Sequence, residues 1–91
     1  MKLYMVHCGF YNAMSTQDLF ECHTNFLIVA SSAKEAKSKA QARPDFQERR
    51  MHIDGILEIE EVEGFKIKFE VNHESQADKM NKYGFRELQT L

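Results

Sequence analysis

The sequence predicts an α+β domain in the order β-β-α-β-β, with a mostly antiparallel sheet, one helix packed on one sheet face and an extra C-terminal element. Three observations predict it. Two extended stretches, 2–10 and 20–30, come first; a capping box at Ser32 then opens a single amphipathic helix; and a second pair of alternating stretches runs from Met51 to Val71. Ninety-one residues allow one core only. Hydrophobic residues at 43% and charged residues at 29% are ordinary for a folded globular domain, which excludes a disordered or collagen-like chain.

In residues 2–10, Leu3, Met5 and His7 alternate with Tyr4, Val6, Cys8 and Phe10, so both faces are largely apolar and both ask for cover. Residues 11–19 lack either periodicity and read as the loop of a long hairpin. In 20–30, Phe20, Cys22, Thr24, Phe26, Ile28 and Ala30 share one face, and Glu21, His23, Asn25, Leu27 and Val29 the other. That second face is wet in its first half and dry in its second.

Ser32-Ala33-Lys34-Glu35 fits a capping box, whose side chains satisfy backbone N–H groups left without partners in the first helical turn. The helix runs over 32–43, with Ala33, Ala36 and Ala40 on a narrow inner stripe that permits close approach to a sheet, and ends at Arg43-Pro44. Phe46 is expected to fold back onto the core, and Glu48, Arg49 and Arg50 to form a solvated turn. For the second hairpin, a two-residue loop at Glu63-Gly64 would set Ile59 against Lys68 and Glu60 against Ile67, placing charge beside core. A three-residue loop, Val62-Glu63-Gly64, instead pairs Ile59 with Ile67, Leu57 with Phe69, Glu60 with Lys66 and Glu58 with Lys68, and is the expected register. Residues 1–71 form the domain. Residues 72–91 form a polar extension, with a weak helix around Ala77, Met80 and Tyr83 stopped by Gly84, and after it a short strand, a segment covering the exposed sheet face, or a frayed end.

A net charge of −2 gives no basic footprint for nucleic acid or an acidic membrane surface. Tyr4, Phe10, Tyr11, Lys66 and Lys68 could stack and contact phosphate, but Glu58, Glu60, Glu61 and Glu63 set acid beside those lysines. No run approaches the about 18 apolar residues of a spanning helix, and the first ten residues do not read as a signal peptide. The expectation is a cytoplasmic protein with Cys8 and Cys22 as free, buried thiols.

Three blocks carry a family resemblance: Met1-Lys2-Leu3-Tyr4-Met5-Val6-His7-Cys8-Gly9-Phe10-Tyr11, Glu21-Cys22-His23 with the apolar strand after it, and Met51-His52-Ile53-Asp54 followed by Val62-Glu63-Gly64-Phe65. Over roughly residues 1–71 they resemble the small bacterial domain-of-unknown-function family numbered 1543. His52-Ile53-Asp54 is the most specific part. The family has no assigned activity, so the resemblance carries over no catalytic residue. Its domain occurs in one or two copies per chain, which implies that a one-copy chain pairs with itself. Gly9-Phe10 stands where many members have Gly-Gly, and the tail after Val71 lies outside the likeness.

Within the chain, Glu21 and His23 share a strand face, as do His52 and Asp54. A carboxylate beside an imidazole is the orienting pair of general-base or Cys-His nucleophilic catalysis, and ligands on neighbouring strands suit a metal. Such i, i+2 pairs arise readily when four histidines meet fourteen carboxylates, and adjacent residues such as His7-Cys8 or Cys22-His23 give one ligand per face. The chain lacks a glycine-rich phosphate loop, a nucleophile elbow and an H-E-x-x-H motif. The reading preferred on sequence is a non-enzymatic, self-associating interaction or small-ligand module, a homodimer with a further protein as a second partner class. No cofactor, metal, nucleic acid or membrane is assigned to it. Glu21, His23, His52 and Asp54 are its ligand-binding candidates. The rival is a metal- or ligand-dependent site with hydrolase-like chemistry built from the same four residues.

Overall fold

The computed structural model describes residues 1–11 and 20–91, so the loop expected over 11–19 falls, beyond Tyr11, outside the described residues. β1 (Lys2–Tyr11), β2 (Glu21–Ala30) and β3 (His52–Ile59) form an antiparallel sheet in the order β2-β1-β3. The α+β class and the β-β-α-β order follow the sequence reading. β1 takes the centre because it is the strand least able to face water on either side. Tyr4, Val6, Cys8 and Phe10 are buried beneath α1 (Ala33–Gln41), whose inner stripe reduces to Ala36 and Ala40, both fully buried. Phe26, Ile28, Ala30 and Met51 complete this core, with Phe46 packed at its margin as expected. Tyr4 and Phe10 therefore offer no free ring face to a nucleobase.

Ser32 caps α1 by accepting from the Glu35 N–H at 3.1 Å. The reciprocal half of the box is different: the Glu35 carboxylate accepts from the Ser31 hydroxyl and pairs with Lys39. The helix ends before Pro44, and that proline opens a second short helix, α2 (Pro44–Glu48), at the position where its missing N–H costs nothing.

β3 contains a bulge. Val6 pairs with Ile56 and Cys8 with Ile53, so two steps along β1 match three along β3. In a regular strand Ile53 and Ile56 would face opposite ways; the extra residue lets both reach the core.

Two expectations for the second half are corrected. The turn is the two-residue loop Glu63-Gly64, between β4 (Glu61–Val62) and β5 (Phe65–Lys66), with Glu61 opposite Lys66. Positive φ values of 51° at Glu63 and 82° at Gly64 form a tight turn whose twist matches the flanking strands. The ladder stops after Ile67 N–H bonds to the Glu60 carbonyl at 3.1 Å, because the next pair would set Ile59 against Lys68. The fourth strand thus belongs to a separate two-stranded ribbon. The weak helix around Ala77–Tyr83 is absent as well. Its thin apolar stripe has no surface to pack on, and Gly84 is extended and precedes the C-terminal helix α3 (Phe85–Thr90), which stands where a short strand is among the expectations. Among the described residues, no helix is long and apolar enough to cross a membrane.

Candidate functional site

Opposite α1, the sheet presents an open face assembled by register. Leu3, Met5, His7 and Gly9 of β1 lie between Val29, Leu27, Asn25 and His23 of β2 and Ile59, Leu57, Gly55 and His52 of β3. One end of this face is apolar and the other polar.

At the polar end all four candidate ligand residues converge. Glu21 and His23 come from the start of β2; His52 and Asp54 come from the start of β3, where the bulge keeps Asp54 on the open face. His52 Nε2 lies 2.6 Å from Glu21 Oε1 and 3.1 Å from Asp54 Oδ1. His23 Nδ1 lies 3.4 Å from Asp54 Oδ2, and its Nε2 is 3.9 Å from Glu21 Oε2. The four side chains are roughly a third to a half exposed, so solutes reach them directly.

Three further residues build the site. Gly9 is its floor: a Cβ there would stand 2.6 Å from His52 Nε2 and 2.9 Å from Asp54 Oδ2, and closer still to Glu21 Oε1. His7 stacks on His23 with ring centroids 4.9 Å apart and planes 2° from parallel. Its Nδ1 lies 2.7 Å from Asn25 Oδ1, a side-chain contact that fixes the orientation of the ring. Two donor triads result, Glu21-His52-Asp54 and His7-His23-Asp54, each with its ligand atoms within 4.8 Å of one another and Asp54 common to both.

The thiols are elsewhere. Cys8 and Cys22 are free and both lie on the helix side of the sheet, but only Cys8 is buried as expected: Cys22, near the start of the edge strand β2, is partly exposed at the margin of the core. Burial pushes the Cys8 thiol up, and the negative charges of Asp54 and Asp45 add to the effect. A Cys-His nucleophilic pair is therefore excluded for these residues: the histidines and the sulfurs occupy opposite faces. Each dyad splits as strand alternation requires, with the imidazole on one side and the thiol on the other.

Neither curated proteins nor solved structures give a match to the chain. The model of the family described as Domain of Unknown Function (DUF1543) matches residues 18–69, a span that includes Glu21, His23, His52 and Asp54 and more than half of the sequence, and the chain belongs to that family.

Proposed function

We propose that the domain is a cytosolic binding module whose ligand is a divalent transition-metal ion, held above Gly9 by Glu21, His52 and Asp54, with His23 and His7 forming the adjoining donor set. The observation that carries this reading is that one imidazole nitrogen, His52 Nε2, is flanked by two carboxylate oxygens at hydrogen-bond distance. A nitrogen holds at most one proton, which cannot be aligned with both oxygens. A cation placed among the three atoms satisfies all of them, and the missing Cβ of Gly9 leaves the space beneath. Mixed imidazole and carboxylate donors suit zinc, manganese, iron or nickel better than the all-oxygen ions calcium and magnesium. The Asn25 contact to His7 is the kind of outer partner that fixes the orientation of a ligating histidine. Free thiols suit the reducing compartment this reading assumes.

Three protein donors on an exposed face leave room for a bound water, and that observation supports hydrolase-like chemistry as the second reading. Elemental analysis of untagged protein, followed by calorimetric titration with Zn²⁺ and Mn²⁺, tests the proposal. Stoichiometric binding that is lost in His52→Ala is expected. Wild-type protein that takes up neither ion at millimolar concentration overturns it.

A further inference from the structure

The apolar end of the open face is uncovered: Leu27, Val29 and Leu57 are 48%, 37% and 58% exposed, and Leu3, Met5 and Ile59 are only partly buried. A hollow of about 380 Å³ adjoins this surface at Ile59; Met1, Ile67 and Phe69 line it together with charged residues that include Lys2 and Glu60. The same chain carries a C-terminal arm whose apolar side chains are equally bare. Val71, Met80, Tyr83, Phe85, Leu88 and Leu91 are 57–84% exposed, and α3 buries none of its residues. Phe85 and Leu88 are three apart and lie on one side of α3.

Dimensions point the same way. The chain exposes 8153 Å², about 2,600 Å² more than the roughly 5,500 Å² expected of a folded monomer of 10.7 kDa. Its radius of gyration is 16.0 Å, against about 12 Å for a compact domain of this length. Obligate homodimers bury about 2,000–5,000 Å² in total, so the excess on two chains is of the size such an interface removes.

From these observations we infer that a second copy of this chain covers the apolar half of the open face, and that it does so with its C-terminal arm. Each arm lies on the other copy's Leu27, Leu57 and Met5, in a two-fold exchange with two equivalent contacts. The arm does not serve its own face because residues near its middle are tied elsewhere: Asp78 pairs with Arg43 at 3.6 Å, and Arg43 in turn donates to the Leu27 carbonyl on the outer edge of β2. A different protein as occupant would leave the arm's own apolar side chains unexplained, whereas a second copy accounts for both surfaces at once. This inference uses none of the metal-site residues and stands or falls separately from that reading.

The test is light scattering and sedimentation of the full chain at 10–100 μM, roughly the range in which obligate dimers remain associated. Wild type is expected at twice 10.7 kDa. Leu57→Asp on the face and Leu88→Asp on the arm, both at exposed positions that leave the monomer fold intact by circular dichroism, should each give a monomer. Mixing the two variants should restore a dimer, because one intact arm then meets one intact face. A monomeric wild type overturns the inference. So does a Leu88→Asp variant that stays dimeric, which would mean that the faces associate without the arm.

Discussion

Replacing Gly9 by alanine separates the site from the fold more cleanly than removing a ligand does. Gly9 is buried near the C-terminal end of the central strand, and its backbone is ordinary extended chain, so alanine meets no conformational barrier there. Glycine inside a strand is destabilising by about 0.5–1 kcal/mol relative to alanine, so the backbone gains slightly from the change. What the methyl meets is the ligand set. Ordinary contact begins at 3.4 Å, so His52 Nε2 at 2.6 Å and Asp54 Oδ2 at 2.9 Å must each retreat by roughly half an ångström or more, and Glu21 Oε1 further. All three are the outer ends of flexible, half-exposed side chains, and they can move without disturbing the core. Metal–donor distances tolerate only about 0.2 Å, so the same retreat breaks the donor set. Gly9→Ala is therefore expected to keep the apo protein's melting temperature within about 3 °C of wild type, while weakening Zn²⁺ binding at least 100-fold, about 2.7 kcal/mol. Calorimetric titration and thermal melts of the same two samples read both quantities. A variant that binds Zn²⁺ as wild type does would show that the ligand atoms do not gather over Gly9.

Three further outcomes are expected. Ala40→Leu forces a side chain between α1 and the sheet where no exposed volume remains, and should cost about 1–3 kcal/mol in urea denaturation; an unchanged midpoint would deny the close helix approach. His7→Ala should leave the Glu21-His52-Asp54 triad loaded, and any second equivalent of metal seen in wild type should disappear from the titration. The third concerns pH and the other end of the sheet, where Glu58 Oε1 accepts from Lys2 Nζ at 3.0 Å and from the Tyr4 hydroxyl at 3.1 Å. Those two donors hold the Glu58 carboxyl below its ordinary value. The stability it lends is full above that ordinary value and lost as pH falls through the lowered one. Hydrogen bonding to Glu58 and its charge raise Lys2, while burial and then the Glu58 bond raise Tyr4; their share is present below their ordinary values and lost as pH rises through the raised ones. Glu58→Gln should accordingly flatten both the acid and the alkaline limbs of a melting-temperature profile, and unchanged limbs would remove the triad from the stability account.

Glu21, His23, His52 and Asp54 could be named in advance because each pair sits two residues apart on one strand, and alternation alone puts both members on one face. That the two pairs meet depends on β1 standing between β2 and β3, which follows from its being apolar on both sides. Gly9 and His7 could not be recognised as the floor and the flank, because their places depend on a register set across the 11–19 connection and on the bulge at Asp54-Gly55. The bulge had a legible trace all the same: Ile53 and Ile56 are three apart in a strand that must bury both. The turn at Glu63-Gly64 departs from the expected three-residue loop for a specific reason: side-chain pairing favours that loop only in a long hairpin, whereas the chain takes the tight turn and ends the ladder where the pairing turns unfavourable.

The boundary between the two halves of the open face limits what each can do. An apolar arm drawn across Glu21 and Asp54 would strip water from two carboxylates without giving them new partners, at a cost of several kcal/mol per ion. In the proposed dimer the arm's seat must therefore end before His7, and the polar end must stay open to small solutes. His52→Ala should then lose metal and remain dimeric, and Leu57→Asp should lose the partner and still bind metal with unchanged stoichiometry by titration. If either substitution abolished both properties, the polar and apolar ends would form one continuous interface, and neither half could be assigned the separate role its side chains support.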